Sequence, residues 1–206
     1  MLRALLLLHR TYRSFPAGAR LHILIRFLTC PFLRVLPHIP GNAQTLLEIG
    51  AGHGLFSRLA AARGLRAYAV EPDLRKLAPV PHVRSIAGFD TCIRGRFDVV
   101  AIMDVLYAIP IAAWDDLLAR AFARVKPGGT LLIKEMDPSS RLKDRWNRTQ
   151  EAISMRLLGI TMAETFNYER VEAFAARLRA HGFSEVDVKR IDFGYPHAHV
   201  LFIARR

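Results

Sequence analysis

From residue 44 onward the chain alternates between two hydrophobic periods. TLLEIG, residues 45–50, is an apolar run with one acid, Glu48, and it ends in a glycine-rich loop, so it reads as a buried strand entering a tight turn. LFSRLAAARG then places Leu55, Phe56, Leu59 and Ala60 at helical spacing and stops at Gly64, as a helix C-terminus does. RAYAVEPD is a short β run that reaches Glu71 and is broken by Pro72. VRSIAGFD gives a third short apolar run. FDVVAIMD gives a fourth, with Phe97, Val99, Val100 and Ile102 nearly continuous, as expected of a strand covered on both faces. IAAWDDLLARAFARV is an amphipathic helix, followed by KPGG and the strand TLLIKEMD. Such alternation predicts an α/β fold, a doubly wound, mainly parallel sheet with helices on both faces. The end differs. SEVDVKRIDFGYPHAHVLFIARR is two β runs joined through Gly194 and Pro196, a hairpin whose last strand can enter the sheet antiparallel.

At 206 residues the chain supports one domain with a full core. Within it we distinguish a basic, apolar helical extension (1–43), a core (44–137), an acceptor-side insertion or lid (138–168), and a final helix with the hairpin (169–206). No apolar run approaches the roughly 18 residues of a membrane span. The start, MLRALLLLHRTYRSFPAGA, has too short an apolar stretch for a signal peptide and meets His9, Arg10 and Arg13 at once. Cys30 and Cys92 show neither metal-ligand spacing nor a disulfide framework, which points to reduced thiols in a cytoplasm.

Charge changes the picture at the N-terminus. The formal net charge is +12, and arginine supplies 25 of the 30 basic residues. Residues 1–47 hold Arg3, Arg10, Arg13, Arg20, Arg26 and Arg34 and no acid before Glu48. Cations interleaved with Leu, Ile and Phe over residues 1–36 suit a helix lying on an anionic membrane surface. The same pattern suits a segment that packs its apolar side on the domain and leaves the arginines solvated, and the basic balance alone also admits a nucleic-acid surface.

The glycine loop carries the chemistry. In an open α/β sheet, ligands bind at the carboxyl ends of the strands, where a Gly-rich turn and a helix N-terminus approach them. A dinucleotide fold wants G-x-G-x-x-G, but Gly50, Gly52 and Gly54 give G-x-G-x-G, with Leu55 where the third glycine would fall. Glu71, at the end of the next strand, can accept two hydrogen bonds from ribose hydroxyls. Glu48 can hold loop backbone or meet a cationic amine. Together these suit a nucleoside that carries a positive charge and no phosphate.

With these motifs in order, the chain resembles the class I S-adenosylmethionine-dependent methyltransferases, of the small-molecule type. The matching residues are LLEIGAGHG, AVEPD, FDVVAIMDVLYAIP and VKPGGTLLIKE, covering residues 44–136 closely. The resemblance implies a Rossmann-like seven-stranded sheet with an antiparallel last strand, S-adenosyl-L-methionine as cofactor and S-adenosyl-L-homocysteine as product. It implies cofactor contacts from Glu48, Gly50, Ala51, Gly52, Gly54, Glu71, Pro72 and Met103. The family's adenine-facing acid commonly sits in a Gly-Asp pair. Here the text is Gly88-Phe89-Asp90, so Asp90 is the shifted candidate, with Ile86 or Ala87 backbone as the alternative.

Methyl transfer asks chiefly for alignment, and for a base only where the acceptor must lose a proton. Candidates are Asp104, at the end of the fourth strand, Tyr107, which can wall the acceptor, and His53, in the loop, where a cofactor contact competes with proton transfer. His197 and His199 are further candidates, although in GYPHAHV they read more readily as exposed hairpin residues. No cluster has metal spacing, so none of the site residues is assigned to a metal. The basic, apolar segment before residue 44 and the stretch 138–168 decorate the core. If both meet above the site, the acceptor is a small hydrophobic or lipid-like molecule at a membrane surface, and the enzyme is cytoplasmic or peripheral on the inner face of the membrane. Two alternatives stand beside it: a nucleic-acid or protein methyltransferase, and a non-catalytic cofactor-binding protein. Asp104-Val105-Leu106-Tyr107 lacks the Asn/Asp-Pro-Pro-aromatic pattern of base-amine methylation, and stacked aromatics of RNA-binding modules are absent, so no nucleic acid is expected. Oligomeric state and acceptor atom (O, N or C) are left open by the residues.

Overall fold

The computed structural model describes residues 1–77, 79–137, 167 and 169–206. Thr45–Ile49 (β1), Arg66–Glu71 (β2), Val83–Ala87 (β3), Phe97–Met103 (β4), Val125–Met136 (β5), Glu185–Arg190 (β6) and His199–Arg205 (β7) form one sheet in the order β3-β2-β1-β4-β5-β7-β6. The strands β1 to β5 pair in parallel, and β7 runs antiparallel between β5 and β6. This is the mainly parallel sheet, with the last strand reversed, that the alternation and the hairpin predict. The order turns back at β1, between β2 and β4, so a crevice opens at the carboxyl ends of those strands.

Successive side chains of the central strands enter two separate cores. Leu46, Val99, Leu132 and Leu201 meet the helices Leu2–Tyr12 (α1), Ala17–Thr29 (α2), Phe32–Val35 (α3) and Leu55–Ala61 (α4), through Leu8, Tyr12, Ile23, Phe27, Val35, Phe56 and Leu59. Leu47, Val100, Ile102, Leu131 and Ile133 meet Trp114–Arg124 (α5) and Val171–Ala180 (α6), through Leu117, Leu118, Phe174 and Leu178. The first 43 residues are therefore structural: they supply much of one face of the sheet, and their burial stabilises it by about 25 cal/mol per Å² of apolar area removed from water.

Two details depart from a strict strand–helix alternation. Among the described residues, β2–β3 and β3–β4 are joined without an α-helix. Pro72, Pro79 and Pro81 remove backbone donors from the first connection, and the second holds a single 3₁₀ turn, Asp90–Cys92. The KPGG turn lies inside β5, where the register with β4 slips between Phe97 and Val99, and a Cβ on Gly129 would stand 2.9 Å from the Asp98 carbonyl oxygen. The insertion anticipated at 138–168 lies outside the described residues, Asn167 excepted.

Candidate cofactor and acceptor site

The loop after β1 is tied to its neighbours by backbone. Gly50 and Ala51 both donate to the Val70 carbonyl, at 2.9 and 3.0 Å, which holds the loop against β2. Gly50 and Gly52 adopt φ of 69° and 55°, a left-handed conformation that glycine enters without a Cβ clash. Their surroundings differ: a Cβ on Gly50 would meet Val105 Cγ2 at 2.6 Å, whereas one on Gly52 meets nothing within 4 Å. Gly52 thus borders open space that a side chain would fill. Gly54 does not line that space; it caps the start of α4.

Two acids organise the loop. Glu48 is 2% exposed and accepts from Ser57 N–H at 2.8 Å and Ser57 Oγ at 2.5 Å, so it caps α4 from the neighbouring strand. Burial pushes its carboxyl up to about 7, against the opposing pull of the Ser57 hydrogen bonds. Glu71 accepts from Gly52 N–H at 2.7 Å and Asp73 N–H at 3.0 Å. One lone pair on each of its oxygens is left for hydroxyl donors.

Against the loop lies a cavity of about 870 Å³, large enough for a nucleoside and a second small molecule together. Glu48, Gly50, Ala51, Gly52, His53, Glu71, Pro72, Asp90 and Met103 line it on the β1–β2 side. Asp90 is engaged by Arg120, whose Nε donates at 2.6 Å, so the carboxylate arrives at the cavity already paired. His53 stacks obliquely on Phe15 and His22, and its carbonyl accepts from Tyr12 Oη at 3.0 Å. Its ring is inside the wall, and burial, then Lys76 and Arg26, lower its pKa.

The opposite wall is made of side chains from distant segments. Arg26 on α2 donates to Asp104 Oδ2 at 2.9 Å, and Lys134, fully buried on β5, grips both oxygens of the same carboxylate. Asp104 sits at φ 57°, a strained position for a residue with a Cβ. Burial opposes its ionisation, but the Lys134 and Arg26 charges outweigh burial and hold it well below the usual carboxylate range. A carboxylate shared by two cations is a weak base, which weighs against proton transfer by Asp104 and leaves it paired with Arg26 and Lys134. Glu135 accepts from Val105 and Leu106 N–H at 2.9 and 2.8 Å, and burial followed by the Asp104 charge pushes it up. Tyr107 also lines the cavity, its hydroxyl pKa raised by burial.

His199 overturns the reading of an exposed hairpin residue. It is 2% exposed, begins β7 between β5 and β6, and lines the cavity. Its Nε2 lies 3.3 Å from the Thr29 carbonyl oxygen, which fixes Nε2 as the protonated nitrogen, and Nδ1 has no hydrogen-bond partner among the described residues. Burial, then Lys134, lowers its pKa to about 3, so it is neutral near pH 7. Arg26, Lys134 and Glu135 were not singled out from the sequence. The adjacent charges Lys134-Glu135 inside the apolar run TLLIKEM were the available signal.

A mainly parallel sheet in this order, with β7 reversed, a glycine loop after β1 and an acid ending β2, has the class I methyltransferase fold. A family model described as a methyltransferase domain matches residues 21–188, and the chain belongs to that family. Demethylspheroidene O-methyltransferase from Rhodobacter capsulatus is 28% identical over 164 residues, covering 72% of this chain and 38% of that protein. The chain thus spans well under half the length of this curated relative. A SAM-dependent methyltransferase from Archaeoglobus fulgidus superposes with a TM-score of 0.67 at 13% identity, over 88% of this chain and 94% of that one. Human N-acetylserotonin methyltransferase, solved with SAM, superposes with a TM-score of 0.66 at 16% identity, over 97% of this chain and 59% of that one. At those identities the structures speak for the fold. Among the described residues, no group of three or more His, Cys, Asp or Glu side chains is placed to hold a metal ion.

Proposed function

We propose that the protein transfers a methyl group from S-adenosyl-L-methionine to a hydroxyl of a small hydrophobic or lipid-like acceptor, met at a membrane surface. The carrying observation is the division of one 870 Å³ cavity into a backbone-built wall and a cationic, partly apolar wall. The first wall fits the cofactor. Gly52 borders open space, Glu71 keeps lone pairs for ribose hydroxyls, and Glu48, Ala51, Pro72 and Met103 complete the surround. Gly50 lines the cavity while packing against Val105, Gly54 acts from behind as loop geometry, and Asp90 meets the adenine side while paired to Arg120.

S-adenosylmethionine would supply an activated methyl: its carbon–sulfur bond would break as the oxygen–carbon bond forms, with the electron pair left on sulfur and the hydroxyl proton released to solvent. What the chain adds is alignment and electrostatics. Among the described residues, Arg26 and Lys134 face one Asp104, leaving one cation in excess beside the space, and Glu135 is pushed toward its neutral form. That surplus favours the deprotonated form of the acceptor hydroxyl, the form that attacks the methyl carbon. Leu21, Ile25 and Phe32 supply apolar contact on the same wall, Tyr107 adds a half-polar surface, and His53 closes the loop side. The resemblance to an O-methyltransferase supports the choice of oxygen.

The test is incubation of the protein with methyl-labelled S-adenosylmethionine and a panel of hydrophobic phenols, quinols and long-chain alcohols, with matched amines and RNA as competitors. Labelled methyl ethers are expected. Label found only in amines or RNA would overturn the reading.

A further inference from the structure

Helix α2 presents three arcs. At about 100° per residue, Ile23 and Phe27 point into the core, while His22, Arg26 and Thr29 face the cavity. The remaining arc is Leu21, Leu24, Ile25 and Leu28, an i, i+3, i+4, i+7 stripe that is 57%, 43%, 45% and 50% exposed. Two of its members, Leu21 and Ile25, also line the cavity, so the stripe is continuous with the cavity's rim. Helix α1 repeats the arrangement: Leu8, Thr11 and Tyr12 are buried, Leu2 and Leu6 are exposed, and Arg3, Arg10 and Arg13 stand on the solvent side. Arg20 adds a further exposed cation on α2, and no acid precedes Glu48.

This combination selects one occupant. A nucleic acid would use the arginines but has no use for the leucine stripe. A second copy related by a two-fold axis would bring arginine against arginine, with no acid on these helices to neutralise them. An anionic bilayer uses both features, taking the leucines into the interface and the guanidinium groups among its headgroups. Among the described residues no helix is long and apolar enough to cross a membrane, so the contact is a surface one.

We infer that α1 and α2 dock the protein on an anionic phospholipid bilayer with the cavity rim at Gly18, Leu21, His22 and Ile25 turned toward the lipid, so that the acceptor passes from the bilayer into the cavity. The inference rests on the methyltransferase reading only for the identity of what passes; the docking surface stands on its own residues.

Flotation of the full chain with vesicles tests it, using phosphatidylcholine containing about 30% phosphatidylglycerol, against pure phosphatidylcholine. Binding to the anionic vesicles is expected, weakening as salt rises. Replacing Arg3, Arg10 and Arg13 by Gln should lower affinity about fivefold per charge. Leu24→Asp with Leu28→Asp should lower it by at least about tenfold. Neither leucine lines the cavity, so S-adenosylhomocysteine affinity, measured by calorimetry in the same samples, should not change. Equal binding by all variants, no binding to anionic vesicles, or a dimer that the Leu24/Leu28 variant converts to monomer would overturn the inference. Loss of S-adenosylhomocysteine binding by the parent, with vesicle binding retained, would strike at the methyltransferase reading and leave the docking surface supported.

Discussion

The two walls of the cavity are built by opposite means. The proposed cofactor wall centres on a single stretch of chain, strand to loop to helix, in which backbone groups do the positioning and Glu48 and Glu71 hold that backbone still. The proposed acceptor wall gathers Arg26, Asp104 and His199 from α2, the end of β4 and the start of β7, backed by the buried Lys134 near the end of β5. One wall depends on the absence of side chains. The other depends on a balance of buried charge, where removing a partner leaves its neighbours desolvated and unpaired. Damage to the first should therefore show in binding with the fold largely kept, and damage to the second should show first in stability.

The largest expected effect is at Asp104. Asp104→Asn strands Lys134 beside Arg26 in the interior and should cost about 3–5 kcal/mol, a fall in melting temperature on the order of 10 °C. The sign with pH is fixed by the lowered pKa. The ion pair contributes fully above the ordinary aspartate range, about pH 4, and its contribution is lost as pH falls further. Urea titrations at a series of acidic pH values should show this loss in the parent and not in the Asn variant. An equally stable Asn variant would mean that the charges are not buried together.

The two loop glycines should differ from each other within the same wall. Gly52→Val should weaken S-adenosylhomocysteine binding by about 100-fold or more, because the side chain enters the open space, with a stability loss of only about 2 kcal/mol from the positive φ. Gly50→Ala should do the reverse of this ranking: its Cβ strikes Val105, so melting temperature falls before affinity is lost. Calorimetry and thermal melts on both variants separate the roles. Glu71→Ala should weaken binding about 30-fold, the scale of a hydrogen-bonded carboxylate, again read by calorimetry. The smallest effect is at Tyr12→Phe, which removes the bond to the His53 carbonyl and should cost about 1 kcal/mol in urea unfolding.

The same contrast explains what the sequence made legible. TLLEIGAGHG and AVEPD declare their geometry locally, since strand, turn and acid follow one another and the sheet only has to bring β1 beside β2. The sheet class followed from the alternation for the same reason. The acceptor wall is set by register. Pairing of Met103 with Lys134 brings the end of β4 to that lysine, and pairing of Met136 with His199 brings the imidazole to the same end of the sheet. No local pattern announces those pairings. His199 was misread because GYPHAHV looks like a hairpin tip, yet HVLFIA lacks the alternation of a half-exposed strand and in fact runs down a strand buried along its length. Arg26 was hidden in a basic segment where Arg3, Arg10, Arg13 and Arg20 are exposed and Arg34 is half-buried. Its helical phase, one position past Ile25 and opposite Leu24, carries it to the cavity.

Calorimetric titration of the full chain and its Gly52→Val variant with S-adenosylhomocysteine tests the central claim most directly. One site per chain is expected in the parent, and no measurable site in a variant that still melts cooperatively. A parent that does not bind, or a folded variant that binds as tightly, would contradict it.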